Sequence, residues 1–88
     1  MLRVYKFLLQ VEDYYTVTMP RTASIINVDF QHGQLYIWAL CAEVEEKFEP
    51  RTFRIAGTGH PIDESFTSLL PIGTAKLESL VFHVFQVL

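Results

Sequence analysis

The sequence predicts an all-β fold, a small antiparallel β-sandwich or barrel of about seven short strands. Short runs of residues alternate between apolar and polar side chains, and turn-forming residues separate these runs. No segment has the length and period of a stable helix. Because the chain has 88 residues, no internal repeat and no linker, we expect a single β domain over residues 1–88.

The central element is a predicted β-hairpin of two strands, Ser24–Phe30 and Leu35–Ala42, closed by His32-Gly33. A type I′ turn needs positive φ at both central residues, which glycine adopts freely and histidine more readily than most side chains. The turn places three apolar pairs on the core face: Phe30 with Leu35, Val28 with Ile37, and Ile26 with Ala39. It places three mixed pairs on the opposite face: Asp29 with Tyr36, Asn27 with Trp38, and Ile25 with Leu40.

Alternation also predicts the remaining strands, which are Arg3–Val11, Tyr14–Met19, Arg51–Ala56, Leu69–Leu77 and Leu80–Leu88. Pro71 and Gly73 mark their strand as an edge strand or a bulged strand. The last strand is apolar on both faces, so we expect this chain or a partner subunit to cover its second face.

An acidic segment, Glu43–Pro50, is the one helix-compatible stretch, and the sequence predicts that Pro50 ends it. A solvated loop and a binding loop are both compatible with its composition.

Composition restricts the class of protein. Half of the residues are hydrophobic, which is more than a domain of this size can bury, so a homo-oligomer (a dimer or higher) is expected. The formal net charge of −3 argues against a nucleic-acid partner. The single cysteine, Cys41, falls on the core face and suits a reducing compartment. No signal-peptide pattern and no membrane-length apolar run is found, so we expect a cytoplasmic protein without a membrane partner.

Catalytic and metal motifs are not found in the sequence. The three histidines, His32, His60 and His83, have no metal-ligand spacing, and no serine lies in a nucleophile elbow. A buried Cys41 would be inert. We therefore expect no enzymatic activity, no metal and no cofactor.

The loop Gly57–Pro61 is a candidate anion site. If alternation continues through it, Arg54, Thr58 and His60 project from one face. Glycines, Gly59 among them, would let a ligand approach the backbone. Arg54 could then hold a phosphate or carboxylate with two hydrogen bonds. The alternative is a tight bend in which Arg54 pairs with a nearby glutamate.

The stripe Tyr36, Trp38 and Leu40 is a candidate protein-contact surface, because exposed aromatic residues with polar neighbours anchor many protein interfaces. The alternative is a second layer of core beneath a covering strand or loop.

Three segments together resemble a family of small uncharacterised proteins of tailed bacteriophages and prophages. These segments are the tryptophan strand Leu35–Leu40, the block RTFRIAGTGHPI at Arg51–Ile62, and the ending Ile72-Gly73-Thr74 followed by LVFHVF at Leu80–Phe85. The resemblance extends to Tyr5-Lys6 and Met19-Pro20 near the start of the chain. It implies a phage setting in the cytoplasm of a bacterial host, where small proteins often inhibit or sequester host components, including components of host defence.

Sequence and resemblance together predict a non-enzymatic binding protein that associates with itself and contacts a host or phage protein. One alternative is a sponge that sequesters a nucleotide-like anionic small molecule at Arg54, Thr58, Gly59 and His60. A second alternative is a minor structural component of the virion.

Overall fold

Seven strands form two antiparallel sheets that pack face to face, as the alternation predicts. The structure, a computed structural model, describes residues 1–88. The strands are β1 (Leu2–Leu9), β2 (Tyr14–Pro20), β3 (Ser24–Gln31), β4 (Gln34–Ala42), β5 (Phe48–Gly57), β6 (Leu69–Leu77) and β7 (Leu80–Val87). A single 3-10 turn, Phe66–Ser68, precedes β6. The all-β sandwich prediction is confirmed.

The strand order is β1-β4-β3 in the three-stranded sheet and β2-β5-β7-β6 in the four-stranded sheet. Strands β4, β5 and β7 are therefore the inner strands, while β1, β3, β2 and β6 are edges. The core lies between the two sheets. It is formed mainly by the inward residues of the inner strands, among them Leu35, Ile37, Phe53, Ile55 and Val84. No helix in the structure is long and apolar enough to cross a membrane.

The central hairpin closes at His32-Gly33, where φ is +53° and +79°. Both values are positive, as a type I′ turn requires. The four predicted pairs nearest the turn have the predicted register: Phe30 with Leu35, Asp29 with Tyr36, Val28 with Ile37, and Asn27 with Trp38. This part of the hairpin prediction is confirmed.

Further from the turn, the predicted register is wrong by one residue. Ile25, not Ile26, pairs with Ala39, and Ser24, not Ile25, pairs with Leu40. The cause is a β-bulge, in which one additional residue of β3 lies opposite a single position of β4. Ile26 is that additional residue, and it is exposed instead of lying in the core.

Two further boundaries differ from the sequence prediction by more than one residue. Pro50 does not end the acidic segment, because β5 already begins at Phe48 and runs through the proline. A proline is tolerated there because β5 pairs with β7 only from Phe53 onwards, so the missing N–H falls on an unpaired side. The first strand ends at Leu9, two residues earlier than predicted.

Strand β6 is both an edge strand and a bulged strand, as Pro71 and Gly73 predict, with the register shift between those two residues. It lies against β3 across the sandwich, where Gly73 packs closely on Val28. A Cβ at Gly73 would lie 3.0 Å from Val28 Cγ1, so this close approach explains the glycine.

Candidate functional site

The outer face of the three-stranded sheet carries the aromatic stripe and is called the open face here. Alternation along β4 directs Leu35, Ile37 and Ala39 into the core, so Tyr36, Trp38 and Leu40 project outward. The neighbouring strands add Val4, Lys6 and Leu8 from β1, and Asn27 and Asp29 from β3. The stripe is thus the central row of this face, with a mostly apolar row on one side and a polar row on the other.

Side-chain contacts hold the stripe in place. The rings of Tyr36 and Trp38 are tilted against each other with centroids 5.9 Å apart. The Lys6 ammonium lies 4.5 Å from the Tyr36 ring centroid and donates a 2.7 Å hydrogen bond to Gln31 Oε1. The Tyr36 hydroxyl donates to Gln34 Oε1 at 3.0 Å. Aromatic residues fixed in this way lose little conformational freedom when they bind a partner.

No third layer lies over the open face. Strand β4 packs laterally on β1 and β3, and its core side meets the other sheet. Tyr36, Trp38 and Leu40 are nevertheless only half-exposed, because neighbouring side chains in the same sheet shield them. The geometry favours the protein-contact interpretation of the stripe over a second layer of core.

Acidic residues lie in the segment that leads from β4 to β5, at one end of the sandwich. The backbone N–H of Glu43 donates to the carbonyl of Met1, and the Glu43 carboxylate binds Arg3 at 2.9 Å. The backbone N–H of Lys47 donates to Glu45 and lowers the pKa of that carboxyl. These contacts hold the segment between the two sheets in place.

The outer face of the four-stranded sheet differs because the loop formed by residues 58–68 returns across it, and we call it the covered face. Arg54 projects from β5 beneath this loop and is only 7% exposed. Its Nη1 donates to the carbonyls of Ile55 at 2.8 Å and Asp13 at 3.3 Å, and its Nη2 donates to the carbonyl of Pro61 at 3.1 Å. The guanidinium thus joins the start of β2, β5 and the loop.

Two acids complete the surroundings of Arg54. Glu64 Oε1 lies 3.5 Å from Arg54 Nε, and Asp13 Oδ1 lies 3.6 Å from Nη1. The Tyr14 hydroxyl donates to Glu64 Oε2. This hydrogen bond, with the nearby guanidinium, lowers the pKa of Glu64, and the same hydrogen bond raises the pKa of Tyr14. We call Arg54, Glu64 and Tyr14 the loop latch.

The predicted anion-site residues are not brought together as one set of free donors. Arg54 is occupied by carbonyls and flanked by acids. Thr58 Oγ1 lies 2.7 Å from His83 Nε2, so it shares a hydrogen bond with a histidine that the sequence interpretation left aside. His60 is exposed, and its ring lies against Gly57, where a Cβ would come within 3.1 Å of it.

Gly59 has φ of +86°, and the backbone N–H of His60 donates to the carbonyl of Gly57. The loop is therefore a tight bend, and the structure favours the alternative in which Arg54 pairs with a glutamate.

Sequence reasoning missed the contact between His83 and two threonines. His83 Nδ1 lies 2.9 Å from Thr74 Oγ1, opposite Thr58 on the other ring nitrogen. Thr74 and His83 are directly paired on β6 and β7, so a correct pairing of these strands would have placed the two side chains together. The remaining member, Thr58, comes from a loop, and no sequence signal specifies its position.

No group of three or more His, Cys, Asp or Glu side chains is arranged to hold a metal ion. Cys41 is fully buried on the core face, where the prediction placed it, and burial raises the pKa of its thiol. A thiol with a raised pKa is a poor nucleophile at neutral pH.

Comparison with known proteins places the chain in one family. A family model described as a domain of unknown function, DUF7352, matches residues 1–88. No curated protein matches the chain, and no solved structure matches it. Because the family match extends over residues 1–88, the chain belongs to the family of the domain of unknown function DUF7352.

Proposed function

We propose that this protein is a non-enzymatic binding module that associates with itself and acts by contacting a second protein through the open face. The observation that carries the proposal is the row Tyr36, Trp38 and Leu40, which lies in the middle of a sheet face that no other element covers. Large side chains in the centre of a surface with a polar rim are the usual anchors of protein interfaces.

The apolar content of the exposed surface supports association. Only 14 of the 88 residues are buried, although half of the sequence is hydrophobic. On the open face, Leu2 and Val4 extend the stripe and remain 60% and 51% exposed. Apolar surface that a monomer leaves in water is what a second protein can remove from it.

Charge indicates the kind of partner. The chain has a net charge of −3, and Asp29 adds a carboxylate to the open face beside Tyr36. A matching partner would present an apolar patch with basic residues at its rim, because opposite charges around an interface favour encounter and orientation. In the phage setting that the resemblance implies, this partner is a host or phage protein in the bacterial cytoplasm.

The test is capture from bacterial lysate with the immobilised protein, in parallel with Trp38→Ala and Phe66→Ala. Phe66 is a matched aromatic control, because it is fully exposed and lies outside the open face. We expect a stoichiometric partner that Trp38→Ala loses, Phe66→Ala retains, and high salt weakens. A partner retained by Trp38→Ala would show that the open face is not the binding surface.

Two other functions make different predictions in the same set of experiments. A sponge for a nucleotide-like anion would gain thermal stability from a mono-, di- or cyclic nucleotide, because a ligand that binds only the folded state stabilises it. Arg54 already donates hydrogen bonds to the carbonyls of Ile55 and Pro61, which argues against this function. A minor virion component would copurify with phage particles instead of remaining free in the lysate.

A further inference from the structure

The four edge strands of the sandwich are not equally suited to pairing with another strand. Strands β3 and β6 each contain a register shift and lie against each other across the sandwich. Strand β2 is shorter and ends at Pro20. Strand β1 has eight residues without a proline or a bulge, and it is in register with β4 along its whole length. Bulges, prolines and charged side chains protect strand edges from pairing; β1 has no bulge and no proline, and its charged residues are Arg3 and Lys6.

We propose that two copies of this chain associate through β1, which pairs antiparallel with β1 of the second copy across a two-fold axis at Tyr5. The two three-stranded sheets then join into one continuous six-stranded sheet. This inference rests on the proposed self-association and specifies its surface. The backbone of β1 supplies the hydrogen bonds, because every second residue of an edge strand directs its N–H and C=O away from its neighbour.

Side-chain direction restricts the register of this pairing. Residues directly opposite each other in an antiparallel pair point to the same face. A two-fold axis must therefore pass through a residue and its own copy, and the two residues at the middle of Leu2–Leu9 are Tyr5 and Lys6. An axis at Lys6 would place two ammonium groups directly opposite each other, which is unfavourable.

An axis at Tyr5 avoids this repulsion. It places Lys6 opposite Val4 of the second copy and Arg3 opposite Phe7 of the second copy, so each cation lies beside an apolar side chain. The two Tyr5 rings meet at the axis, and Tyr5 is 46% exposed in the single chain. Aromatic pairs directly across two strands stabilise a sheet. Charge thus selects Tyr5 as the centre.

Pairing through β1 leaves the aromatic stripe free for the second protein. A two-fold axis perpendicular to the sheet keeps both open faces on the same side, with the β1 rows side by side at the junction. Leu2 and Val4, which lie at the margin of the face in one chain, would become the middle of a surface twice as wide. Self-association would then enlarge the partner-binding surface instead of burying it.

The first test is sedimentation equilibrium of the wild type, Tyr5→Lys and the control Leu80→Lys. Leu80 is also an exposed apolar residue, but it lies at the turn between β6 and β7. We expect a wild-type dimer near twice the 10.2 kDa chain mass. Tyr5→Lys would place like charges at the axis and should raise the dimer dissociation constant about tenfold or more. Leu80→Lys should leave it unchanged.

The second test measures the register by disulfide cross-linking. In a Cys41→Ala background, Tyr5→Cys would bring two thiols opposite each other at a distance that suits a disulfide. Lys6→Cys should cross-link much more slowly, because position 6 then faces position 4. Faster linking through position 6 would overturn the proposed axis.

The outcomes separate this inference from the proposed function. A monomeric wild type would contradict self-association itself. A dimer that persists in Tyr5→Lys, and that neither cysteine variant cross-links, would contradict only the β1 interface. Capture of a partner through Trp38 is measured independently and would stand in either case.

Discussion

The outward-facing residues of both sheets follow the same alternating pattern, but they differ in burial. On the open face, Tyr36 and Trp38 remain half-exposed because no other part of the chain lies above them. On the covered face, Arg54 is almost fully buried because residues 58–68 return over it, and its guanidinium donates to the carbonyls of Asp13, Ile55 and Pro61. What an outward-facing residue does therefore depends on where a later loop lies, and alternation within a strand does not specify that.

The contrast between Lys6 and Arg54 shows the consequence for binding. Lys6 lies at the surface of the open face, bound only to Gln31 and the Tyr36 ring, so a partner can replace its contacts. Arg54 binds three backbone carbonyls and lies beside Glu64. A ligand anion would have to displace those groups. The side chains of the open face remain accessible to a second molecule, whereas Arg54 on the covered face is occupied by contacts within the chain.

The largest effect is expected from Arg54→Ala, which removes the centre of the loop latch. Removing one member of a buried charged pair leaves its partners unsatisfied and costs about 3–5 kcal/mol. Urea denaturation should show this loss, and hydrogen exchange should show faster exchange across residues 58–68. Lys76→Ala is the control, since Lys76 is an exposed cation on β6, the edge strand at the far side of the same sheet, and should change stability little.

An Arg54→Ala variant with wild-type stability would show that Arg54 does not stabilise the fold by holding the loop of residues 58–68. If it also lost a thermal response to nucleotides that the wild type shows, the arginine would belong to an anion site. The two readouts therefore separate a structural role for Arg54 from a ligand-binding role.

The turn of the central hairpin should give the next largest effect. Gly33 has φ of +79°, and a valine there would be forced into a conformation that β-branched residues resist. We expect Gly33→Val to lower the free energy of unfolding by about 1–3 kcal/mol.

Glu78, at the turn between β6 and β7, also has positive φ, so Glu78→Gly should raise the free energy of unfolding and stabilise the protein. Thermal denaturation of both variants compares the hairpin turns of the two sheets.

Trp38→Ala should affect the fold less than a substitution in the core. A half-buried tryptophan contributes about 2 kcal/mol, which is less than a fully buried aromatic residue contributes. Phe53→Ala is the comparison, because Phe53 is completely buried between the sheets and its loss should cost about 3–5 kcal/mol. If the two variants were equally destabilised, Trp38 would belong to a second core layer.

The sequence was sufficient to predict the local structure of the central hairpin near its turn. A turn with glycine and histidine and an alternating hairpin specified the register from Phe30 to Asn27, because these signals lie within a few residues of each other. The prediction failed at the bulge near Ile26. Alternation assumes a constant register, and no single residue near Ile26 encodes the additional position.

Long-range contacts explain why the site was predicted only in part. The stripe was found because it depends on alternation in one strand and on the hairpin. The surroundings of Arg54 were missed because they combine Asp13, Pro61 and Glu64, which lie on two different loops. One of the two alternatives did name a glutamate as the partner of Arg54. The sequence could suggest that pairing but could not select it.

The smallest effect concerns the acid sensitivity of the loop latch. The pKa of Glu64 lies below its ordinary value of 4.5, because the Tyr14 hydroxyl donates to the ionised carboxylate and the guanidinium is close. A lowered folded-state pKa means that the contribution is present above the ordinary pKa and is lost as pH falls through the folded value. The folded protein should therefore keep this contribution at pH values above 4.5 and lose it as pH falls below that ordinary value and through the lower folded-state pKa.

Glu64→Gln should remove this contribution, so its melting temperature should fall less than that of the wild type over the same pH interval. Hydrogen exchange distinguishes the covered face from the rest of the molecule, because acid should speed exchange within residues 58–68 in the wild type. Glu45→Gln is the matched control. The Glu45 carboxyl also has a lowered pKa, but it accepts from the Lys47 backbone in the segment between β4 and β5, so that variant should alter residues 43–47 and leave the loop acid-sensitive. Equal acid sensitivity of the loop in the wild type and in Glu64→Gln would show that the Tyr14–Glu64 hydrogen bond does not hold it.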